Sequence, residues 1–552
     1  MTEESRCTSP PTPGPALTRA LARLPACLRW ALAAVATSSL LAQIGSGGQS
    51  ALAAAGAGGY SSLPGLRPPQ LRVSVNRAGQ ASGLIFVAPI PSSTQPMTGE
   101  AGPLILEGDG NPIWFHPVPS GEEALDFTTQ SYQGHTVLSW WQGKLADGAG
   151  TATPTAAAAS PAGFPQPGAR FRLFNQHYQP IRTIIASEGW TADPQELVTT
   201  PHDSALFIAD RLVPMDLARY GGPADGEVWD MEVQEVSLET GTVLFSWDLL
   251  EHVSLAESQT KPPADEPWDP YQVDSLQELP NGHVLVSVRN TSSVYVVEKV
   301  TGRIAWQLGG ARSTFKLMPS ARFYWQQDVQ LRHGDEVSML DNGCCGLLPA
   351  GIGPAEQESH GLLLRLNDID GTATVLHRYS HAPALYTSDH GSMQTFRNGN
   401  ALIGWGTLPY LSEYSADGAL LYAASLPAGD ASERALRLGW RGTPPGRPQL
   451  AARRDGPRTT LYVSWNGASE VKSWKIFTGA SAARVKTNPG PIVAVAQRSG
   501  LQTAIPLSTD GQFFMAEAFA ADGALLGISK PARVEQSPRK GKRPTGTSGA
   551  TR

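Results

Sequence analysis

The amino-acid sequence predicts an all-β protein, a six-bladed β-propeller followed by a small β-sandwich. Two turn-and-strand patterns alternate between about residue 70 and residue 430, no helical periodicity runs through most of that span, and further short strands follow a proline-rich stretch at 443–450. Short strands with turn residues at each step favour a radial array of small antiparallel sheets. With 552 residues, the chain is also longer than the length that a single hydrophobic core usually supports.

The first pattern is a turn followed by an apolar strand that often carries tryptophan. It occurs as "EGDGNPIWFH", "SLETGTVLFSW", "KVTGRIAWQL", "DIDGTATVLHRY" and "SADGALLYAA", with a degenerate copy, "FNQHYQPIRTI". The turn glycines are Gly110, Gly241, Gly302, Gly371 and Gly418. With the degenerate copy they give six units about sixty residues apart, the last one shorter, which predicts six blades. A large β-sandwich is the alternative, but such regular alternation disfavours it.

The second pattern is a turn that leads into a more uniformly apolar strand. It occurs as "YQGHTVLSWW", "TPHDSALFIAD", "LPNGHVLVSVRN", "LRHGDEVSML" and "FRNGNALIGWG". These copies alternate with those of the first pattern along the chain. We therefore expect the second pattern to form the inner layer around the central channel.

The N-terminal segment has the order of a secretory signal. Arg19, Arg23 and Arg29 precede the apolar run "WALAAVATSSLLA", which is followed by small residues and "ALAAAG". Residues 1–56 are accordingly predicted to be a signal peptide or an N-terminal anchor region. The protein should be secreted or extracellular, and it should touch a membrane only through an uncleaved N-terminal segment.

The rest of the chain divides into a propeller and a smaller domain. The propeller is predicted over 67–440, with a disordered Ala/Pro-rich loop at 150–169. Strands over 451–534 have the spacing of a fibronectin type III-like β-sandwich with a central Trp465. A disordered basic tail follows at 535–552. This C-terminal part is a candidate for contact with a cell-surface partner.

Composition and cysteine positions exclude several function classes. The formal net charge is −6 and 17% of the residues are charged, which makes nucleic acid an unexpected partner. Cys7 and Cys27 lie in the predicted signal, and Cys344 and Cys345 are adjacent, so the sequence holds no disulfide framework. No spacing typical of a metal site is present.

Polar residues recur seven to ten positions before the turns of the second pattern. They are Gln195, Gln272, Gln327 and His390. Arg289 lies at the far end of the Gln272 hairpin, which should return it to the same channel mouth. Several converging hydrogen-bonding groups and an arginine indicate a polar, anion-tolerant pocket.

Aromatic residues near these strands are candidates to flank an aromatic ligand, although each by itself is more typical of a core. They are Trp325, which we take as a ligand-binding residue, and Trp141, Trp405, Tyr271 and Tyr410.

The quoted segments resemble the arylsulfotransferase family, which consists of secreted or periplasmic six-bladed propellers. The resemblance runs in order from about 67 to 440 and includes "PLILEGDGNPIWFHP", "DSLQELPNGHVLVSVRN", "FYWQQDVQLRHGDEVSMLDNG" and "NGNALIGWGTLPYLSEYSADGALLY". It implies that an active-site histidine takes a sulfuryl group from an aryl sulfate and passes it to a phenol, without a nucleotide donor or other cofactor. Two further histidines and an arginine support the transfer.

The family's three histidine motifs are altered in this sequence. Motifs resembling D-x-H-E, F-H-x-N-S and W-Q-H-D read "DPQEL", "YQVDS" and "WQQDV", so the resemblance places Gln195, Gln272 and Gln327 at the histidine positions. Asp274 replaces the asparagine of the middle motif and is a candidate ligand-binding residue. The arginine persists as Arg289.

Three hypotheses follow from these exchanges. The protein is a catalytically impaired binder of an aromatic, sulfated or otherwise anionic ligand, since glutamine keeps hydrogen bonding but lacks a nucleophilic lone pair. Alternatively, it is an active sulfotransferase that uses a relocated nucleophile, His390, or that transfers the group in a single step between bound donor and acceptor. A third hypothesis makes it a cell-surface interaction module. If Asp274 is ionised beside Arg289, that pair neutralises the one cation available to an anion.

Overall fold

The structure, a computed structural model, describes residues 59–92, 97–146, 163–343 and 358–536. Residues 1–56 and all four cysteines therefore lie outside the described part. Within it, nearly all regular structure is β, and six sheets of four or five strands form the blades of a propeller; their strands are antiparallel except for the short rim strand Lys316–Leu317. The predicted six-bladed β-propeller is confirmed.

Blades 2 to 5 are each formed by consecutive strands, which run from the channel to the rim. From innermost to outermost, the strands of blade 2 are Glu123–Tyr132, His135–Gly143, Arg170–Phe174 and Pro180–Ile184; of blade 3, Thr191–Thr199, Ser204–Met215, Gly226–Ser237 and Val243–Asp248; of blade 4, Val273–Glu278, Val284–Val288, Ser293–Val297 and Ile304–Gly309; and of blade 5, Gln326–Arg332, Glu336–Asp341, His360–Asn367 and Thr372–Ser380, with Lys316–Leu317 at the rim.

Blades 6 and 1 use both ends of the propeller sequence. Blade 6 contains Ser392–Thr395, Ala401–Gly404, Tyr410–Tyr414 and Leu420–Ser425, with Arg72–Asn76 added at the rim. Blade 1 takes its innermost strand, Asp430–Leu438, from the end of the propeller and its other strands, Leu84–Pro91, Leu104–Leu106 and Pro112–Phe115, from the beginning. Pairing of Asp430–Leu438 with Leu84–Pro91 closes the ring.

The two sequence patterns correspond to two sets of hairpins. All six turns of the first pattern join the third and fourth strands of the six blades. The five turns of the second pattern join the first and second strands of blades 2 to 6. Blade 1 has no such turn, because its innermost and second strands are far apart in the sequence.

A closed ring of hydrogen bonds joins the innermost strands. In each blade, an acidic or serine side chain accepts a hydrogen bond from a backbone N–H of the next blade. In blade order, the pairs are Glu433 with Asp126 (2.6 Å), Asp126 with Leu197 (2.9 Å), Glu196 with Leu276, Ser275 with Val329 (2.9 Å), Asp328 with Met393 (2.9 Å) and Ser392 with Ala435 (3.1 Å). The strand register shifts at this level in blades 1 to 5, where a bulge frees the N–H from its own ladder.

Three glutamines tie alternate blades to their neighbours. Gln130, Gln277 and Gln394 each donate to a backbone carbonyl and accept from a backbone N–H of the following blade. An amide side chain can replace a missing ladder pair in this way, since it carries both a donor and an acceptor. The blades are therefore joined by hydrogen bonds as well as by apolar packing.

Helices are few and short among the described residues. Two α-helices span Leu249–His252 and Ala482–Thr487, and 3₁₀ turns span Ala218–Tyr220, Leu255–Glu257, Arg289–Thr291 and Pro319–Ala321.

The C-terminal strands form one folded sheet. In pairing order they are Ile492–Gln497, Ser473–Gly479, Phe513–Phe519, Ala532–Gln536, Gln449–Asp455, Arg458–Ser464 and Gln502–Leu507, with Leu525–Ile528 beside Phe513–Phe519. Leu461 from one half of this sheet shares a core cluster with Trp474 and Phe514 from the other half. The sheet is thus packed on itself like a sandwich, and its fibronectin type III-like character stays a prediction.

This C-terminal domain covers the outer edge of blade 1. Asn466 accepts a hydrogen bond from the N–H of Phe115 (3.0 Å) and donates to its carbonyl (2.9 Å). The N–H of Gly467 donates to the carbonyl of Ile113. The domain therefore caps an edge strand that would otherwise present unpaired backbone groups.

Details of the predicted segments differ from the structure. The buried tryptophan of the C-terminal core is Trp474, at 2% exposure, whereas Trp465 is only partly buried. At the end of the predicted disordered loop, Phe164 stacks on Trp229 and Pro165 bridges to Leu145. Residues 535 and 536 belong to the last strand and not to the tail. The remaining parts of the loop and tail, 150–162 and 537–552, lie outside the described residues.

Replacing Ser275 with alanine should destabilise the propeller. Ser275 is fully buried, and the variant leaves the N–H of Val329 without its acceptor. A buried unpaired N–H costs about 1–3 kcal/mol, so the urea midpoint should fall by a corresponding amount. Ser74→Ala is the matched control, because Ser74 is exposed on the rim strand and should change stability by less than about 0.5 kcal/mol. Equal midpoints for the two variants would show that the hydrogen-bond ring adds no stability.

Candidate functional site

The four blade-end residues predicted from the sequence lie at one end of the channel. Gln195 and Gln327 belong to the innermost strands of blades 3 and 5, while Gln272 and His390 come just before those of blades 4 and 6. The inter-blade ring aligns equivalent positions of these strands, so the four residues surround one opening, here called the channel mouth. All four are buried, with at most 5% exposure.

Arg289 returns to the channel mouth as predicted. Its backbone N–H donates to the carbonyl of Gln272 (2.9 Å), which places the two residues side by side. Its guanidinium donates to the carbonyl of Ser388 (3.1 Å) and to Asn290 (3.3 Å), and its Nε lies 3.6 Å from the Asp389 carboxylate. At 1% exposure, this cation is held in place and already has an anionic partner.

Asp389 connects the predicted residues, and sequence reasoning did not single it out. Besides facing Arg289, its Oδ1 accepts hydrogen bonds from Gln327 Nε2 (3.3 Å) and from the backbone N–H of His390 (2.8 Å). Its position immediately before His390 in "SDHG" was the available signal. The sequence alone does not reveal the role of Asp389, because Arg289 and Asp389 belong to different blades.

Asp274 does not pair with Arg289 as the sequence suggested. Its side chain is fully buried, accepts a long hydrogen bond from Ser275 Oγ (3.4 Å), and has one carboxyl oxygen without a partner. Burial raises the pKa of Asp274 well above its ordinary value, an effect that a hydrogen bond from Ser287 and the charges of Arg434 and Arg289 oppose. The carboxylate that faces Arg289 is Asp389.

Arg434 occupies the centre of the ring, below the mouth. It donates to Glu196 (2.8 Å), to Asp126 (3.2 Å) and to the carbonyl of Gln195 (2.8 Å), and its Nε lies 3.9 Å from Glu433. One buried guanidinium therefore holds the innermost strands of blades 1, 2 and 3 and fixes the backbone that carries Gln195.

Sequence reasoning missed Arg434 for a topological reason. It lies on the closing strand, which has no hairpin to a neighbouring strand in sequence and so carries no repeat signal. The carboxyls around it outnumber its charge. Burial, opposed by Arg434, raises the pKa of Glu433 to about 8 and raises that of Asp126 well above its ordinary value. Part of this cluster is thus protonated at neutral pH.

A second group of carboxyls lies beside the mouth. Asp193 and Asp210 are fully buried and share a hydrogen bond, which requires a proton on one of them. Burial raises the pKa of Asp193 to about 7 and that of Asp269 to about 6. Both arginines of the mouth region, Arg289 and Arg434, already face carboxylates. Among the described residues, the mouth therefore offers an incoming anion no unpaired cation.

His390 is a neutral imidazole at this mouth. Burial lowers its pKa, an effect that Arg289 reinforces and Asp389 opposes. Its Nδ1 is buried and has no hydrogen-bond partner. Nε2 is not one of the buried, unpaired atoms. A neutral imidazole keeps a lone pair, so this residue has the chemistry of a nucleophile or base.

Several donors at the mouth are unused by the protein. Among the described residues, the side-chain amides of Gln195 and Gln272 and the indole N–H of Trp325 make no hydrogen bond, and none of them is sealed from solvent. Trp325, Gln272 and His390 also have φ values of +56°, +49° and +57°. Non-glycine residues rarely adopt this left-handed conformation, and it concentrates at functional sites.

The aromatic candidates separate into core residues and one residue of the mouth. Trp141, Trp405 and Tyr271 are fully buried and donate to internal oxygens. Tyr410 is exposed at 39% and lies at the start of a third strand. Trp325 lies beside a predicted site residue, since the Arg289 guanidinium is 5.8 Å from its ring centre.

The sequence model of the arylsulfotransferase (ASST) family matches residues 172–426, from the third strand of blade 2 to the end of blade 6. Over these residues, the propeller is similar to the arylsulfotransferase family. The match contains Gln195, Gln272, Arg289, Gln327 and His390, and it ends before Arg434. No curated protein matches the sequence.

Several solved structures are similar to this chain at low identity. A protein of unknown function from Bacteroides caccae is 11% identical, with 64% of this chain and 98% of that one covered and a TM-score of 0.33. A protein from Lactobacillus plantarum is also 11% identical (77% and 100% covered, TM-score 0.32). Virginiamycin B lyase from Staphylococcus aureus is 9% identical (71% and 96% covered, TM-score 0.31).

Two features are absent from the described residues. No helix among them is long and apolar enough to cross a membrane. No group of three or more histidine, cysteine, aspartate or glutamate residues in the same part of the chain is arranged to hold a metal ion.

The propeller should lose stability as the pH rises from 5 to 8. Asp193 has an ordinary pKa near 3.8 when unfolded and about 7 when folded, so in this window the folded state binds a proton that the unfolded state has released. Stability is full below the unfolded pKa and is lost as the pH rises through the folded one. Asp193→Asn should reduce this loss by about 1–3 kcal/mol, measured by urea unfolding at both pH values.

Asp225→Asn is the control for this titration, because Asp225 is exposed. It should leave the pH dependence unchanged. If Asp193→Asn and the parent lose equal stability between pH 5 and 8, the buried carboxyl pair is not protonated in the folded state.

Proposed function

We propose that the protein is a member of the arylsulfotransferase family that binds a small aromatic ligand at the channel mouth without transferring sulfuryl groups. The observation that carries this proposal is the state of the three histidine positions of the family. They hold Gln195, Gln272 and Gln327, and the amides of the first two are unpaired at the mouth.

Glutamine supports binding and opposes transfer for one electronic reason. Its nitrogen lone pair is delocalised into the carbonyl, so the amide neither attacks sulfur nor carries a proton that titrates near neutrality. It still donates and accepts hydrogen bonds at a site of similar size. The mouth thus keeps polar groups that can orient a ligand while it loses the family's nucleophile.

The electrostatics favour a neutral aromatic ligand, such as a phenol, over a sulfated one. Arg289 faces Asp389, and Asp193 and Asp269 add carboxyls nearby. A phenol hydroxyl can pair with the free amides, and the indole N–H of Trp325 supplies a further donor. An aryl sulfate would enter beside carboxylates with no unpaired cation to receive it.

We also propose that the protein lies outside the cytoplasm. The support for this proposal is the order of charged, apolar and small residues within 1–56.

Removing a free amide should weaken phenol binding. Gln272→Leu keeps the volume and removes both hydrogen-bonding atoms, so the affinity for phenol, measured by calorimetry, should fall about five- to tenfold. Gln512→Leu is the control, because that amide is exposed on the C-terminal domain. Equal affinities for parent, variant and control would exclude the mouth as the binding site.

A relocated nucleophile is the second candidate function, and the neutral imidazole of His390 favours it. In that reaction, Nε2 attacks the sulfur of an aryl sulfate, the bond from sulfur to the aryl oxygen breaks, and an aryl oxide leaves. A phenol oxygen then attacks the same sulfur, and the N–S bond breaks. Arg289 lies 3.6 Å from Asp389, whose carboxylate accepts the backbone N–H of His390.

Transfer from 4-nitrophenyl sulfate to phenol decides between the two candidates. We expect the parent to release no 4-nitrophenol above background, and His390→Ala and Arg289→Ala to be indistinguishable from it. Turnover in the parent that His390→Ala abolishes would establish the relocated nucleophile and overturn the proposal of a non-transferring binder.

A further inference from the structure

A cleft of about 580 Å³ opens between blades 4 and 5, beside the channel mouth. Its walls are residues 256–261, the glycine turn at 309–313 and residues 322–324. Ser292, which also lines it, directly follows the 3₁₀ turn that begins at Arg289, and Tyr324 directly precedes Trp325. The cleft therefore adjoins the mouth but uses different side chains.

In the described part of the chain, this cleft, unlike the mouth, carries unpaired cations. Lys261 and Arg322 are exposed on its walls and have no carboxylate partner among the described residues. Glu257 is the acidic residue of the lining, and its carboxylate already faces Arg312 at 3.4 Å. Two unpaired cations thus border a cleft whose carboxylate is neutralised.

The glycine turn adds backbone donors to the same cleft. Gly309 and Gly310 have φ values of +79° and +63°, and the N–H groups of Gly310 and Ala311 have no acceptor in the described part of the chain. A Cβ at Gly310 would overlap Ser293 Oγ, so glycine is required for this close approach. Unpaired N–H groups beside cations are suited to oxyanions.

The cleft also has an aromatic side. Tyr324 is partly exposed, its hydroxyl has no hydrogen-bond partner among the described residues, and the buried rings of Phe315 and Phe323 lie beside it in the lining. An aromatic ring could pack against this surface while an attached anion meets Lys261 or Arg322.

We propose that this cleft binds a small aromatic anion, an aryl sulfate or aryl carboxylate, at a site separate from the channel mouth. The proposal goes beyond ligand binding at the mouth and uses none of its residues. It assigns charged aromatic ligands to the cleft and neutral ones to the mouth, so one protein would hold both kinds at neighbouring sites.

Calorimetry with 4-nitrophenyl sulfate tests the proposal on the full chain. Lys261→Gln/Arg322→Gln should weaken binding about five- to tenfold, because each exposed cation contributes a modest attraction. Both side chains are exposed, so the fold should be unaffected. Lys530→Gln/Arg397→Gln is the matched control, since it removes two exposed cations outside the cleft and should not change the affinity. Parent binding should weaken as salt increases.

Three further binding measurements distinguish the cleft from the mouth as the site of the anion. Arg289→Gln should leave 4-nitrophenyl sulfate binding unchanged; if it abolishes binding and the cleft variant does not, the anion occupies the mouth and the proposal fails. Inorganic sulfate should bind more weakly than the aryl ester; equal affinity would overturn recognition of the ring. Phenol binding should be the same in the cleft variant and the parent, which separates this test from that of the mouth.

Discussion

The propeller depends on the closed ring of hydrogen bonds between innermost strands. Each blade accepts a backbone N–H of the next blade, which in blades 1 to 5 lies at a bulge. Ser392 of blade 6 closes the ring by accepting the N–H of Ala435 in blade 1. Because the acceptors are side chains of different blades, no blade can satisfy its own bulge. The ring therefore couples the blades to one another and sets the common level at which their polar side chains meet.

That ring also explains why the channel is acidic. Its acceptors are mostly carboxyls, and a single guanidinium, Arg434, lies among them. Carboxyls that accept backbone N–H groups stabilise the inter-blade junctions, but burying several of them close together raises their pKa values. The chemistry available at the mouth is thus partly a consequence of how the propeller closes. Arg289 is neutralised by Asp389 in the same way, and a site that resembles an anion site from sequence becomes a polar, nearly neutral one.

The exchange of histidine for glutamine is consistent with this environment. An imidazole that must carry a sulfuryl group needs a lone pair and nearby cations that stabilise the transferred anion. Here the three positions hold amides, which lack that lone pair, and the mouth cations Arg289 and Arg434 already have carboxylate partners. Unpaired positive charge is found instead in the neighbouring cleft, at Lys261 and Arg322. The cations of the mouth are thus paired with carboxylates, whereas those of the adjacent cleft are unpaired within the described residues.

The sequence by itself determined the number of blades, the hairpins that build them and the blade ends that carry Gln195, Gln272, Gln327 and His390. These features depend on local turn residues and strand patterning, which act between near neighbours in the chain. Only the tertiary structure decided the closing strand with Arg434, the pairing of Arg289 with Asp389 instead of Asp274, and the burial that raises the pKa values of the carboxyls. Those features arise from contacts between blades distant in sequence, for which a single sequence carries no periodic signal.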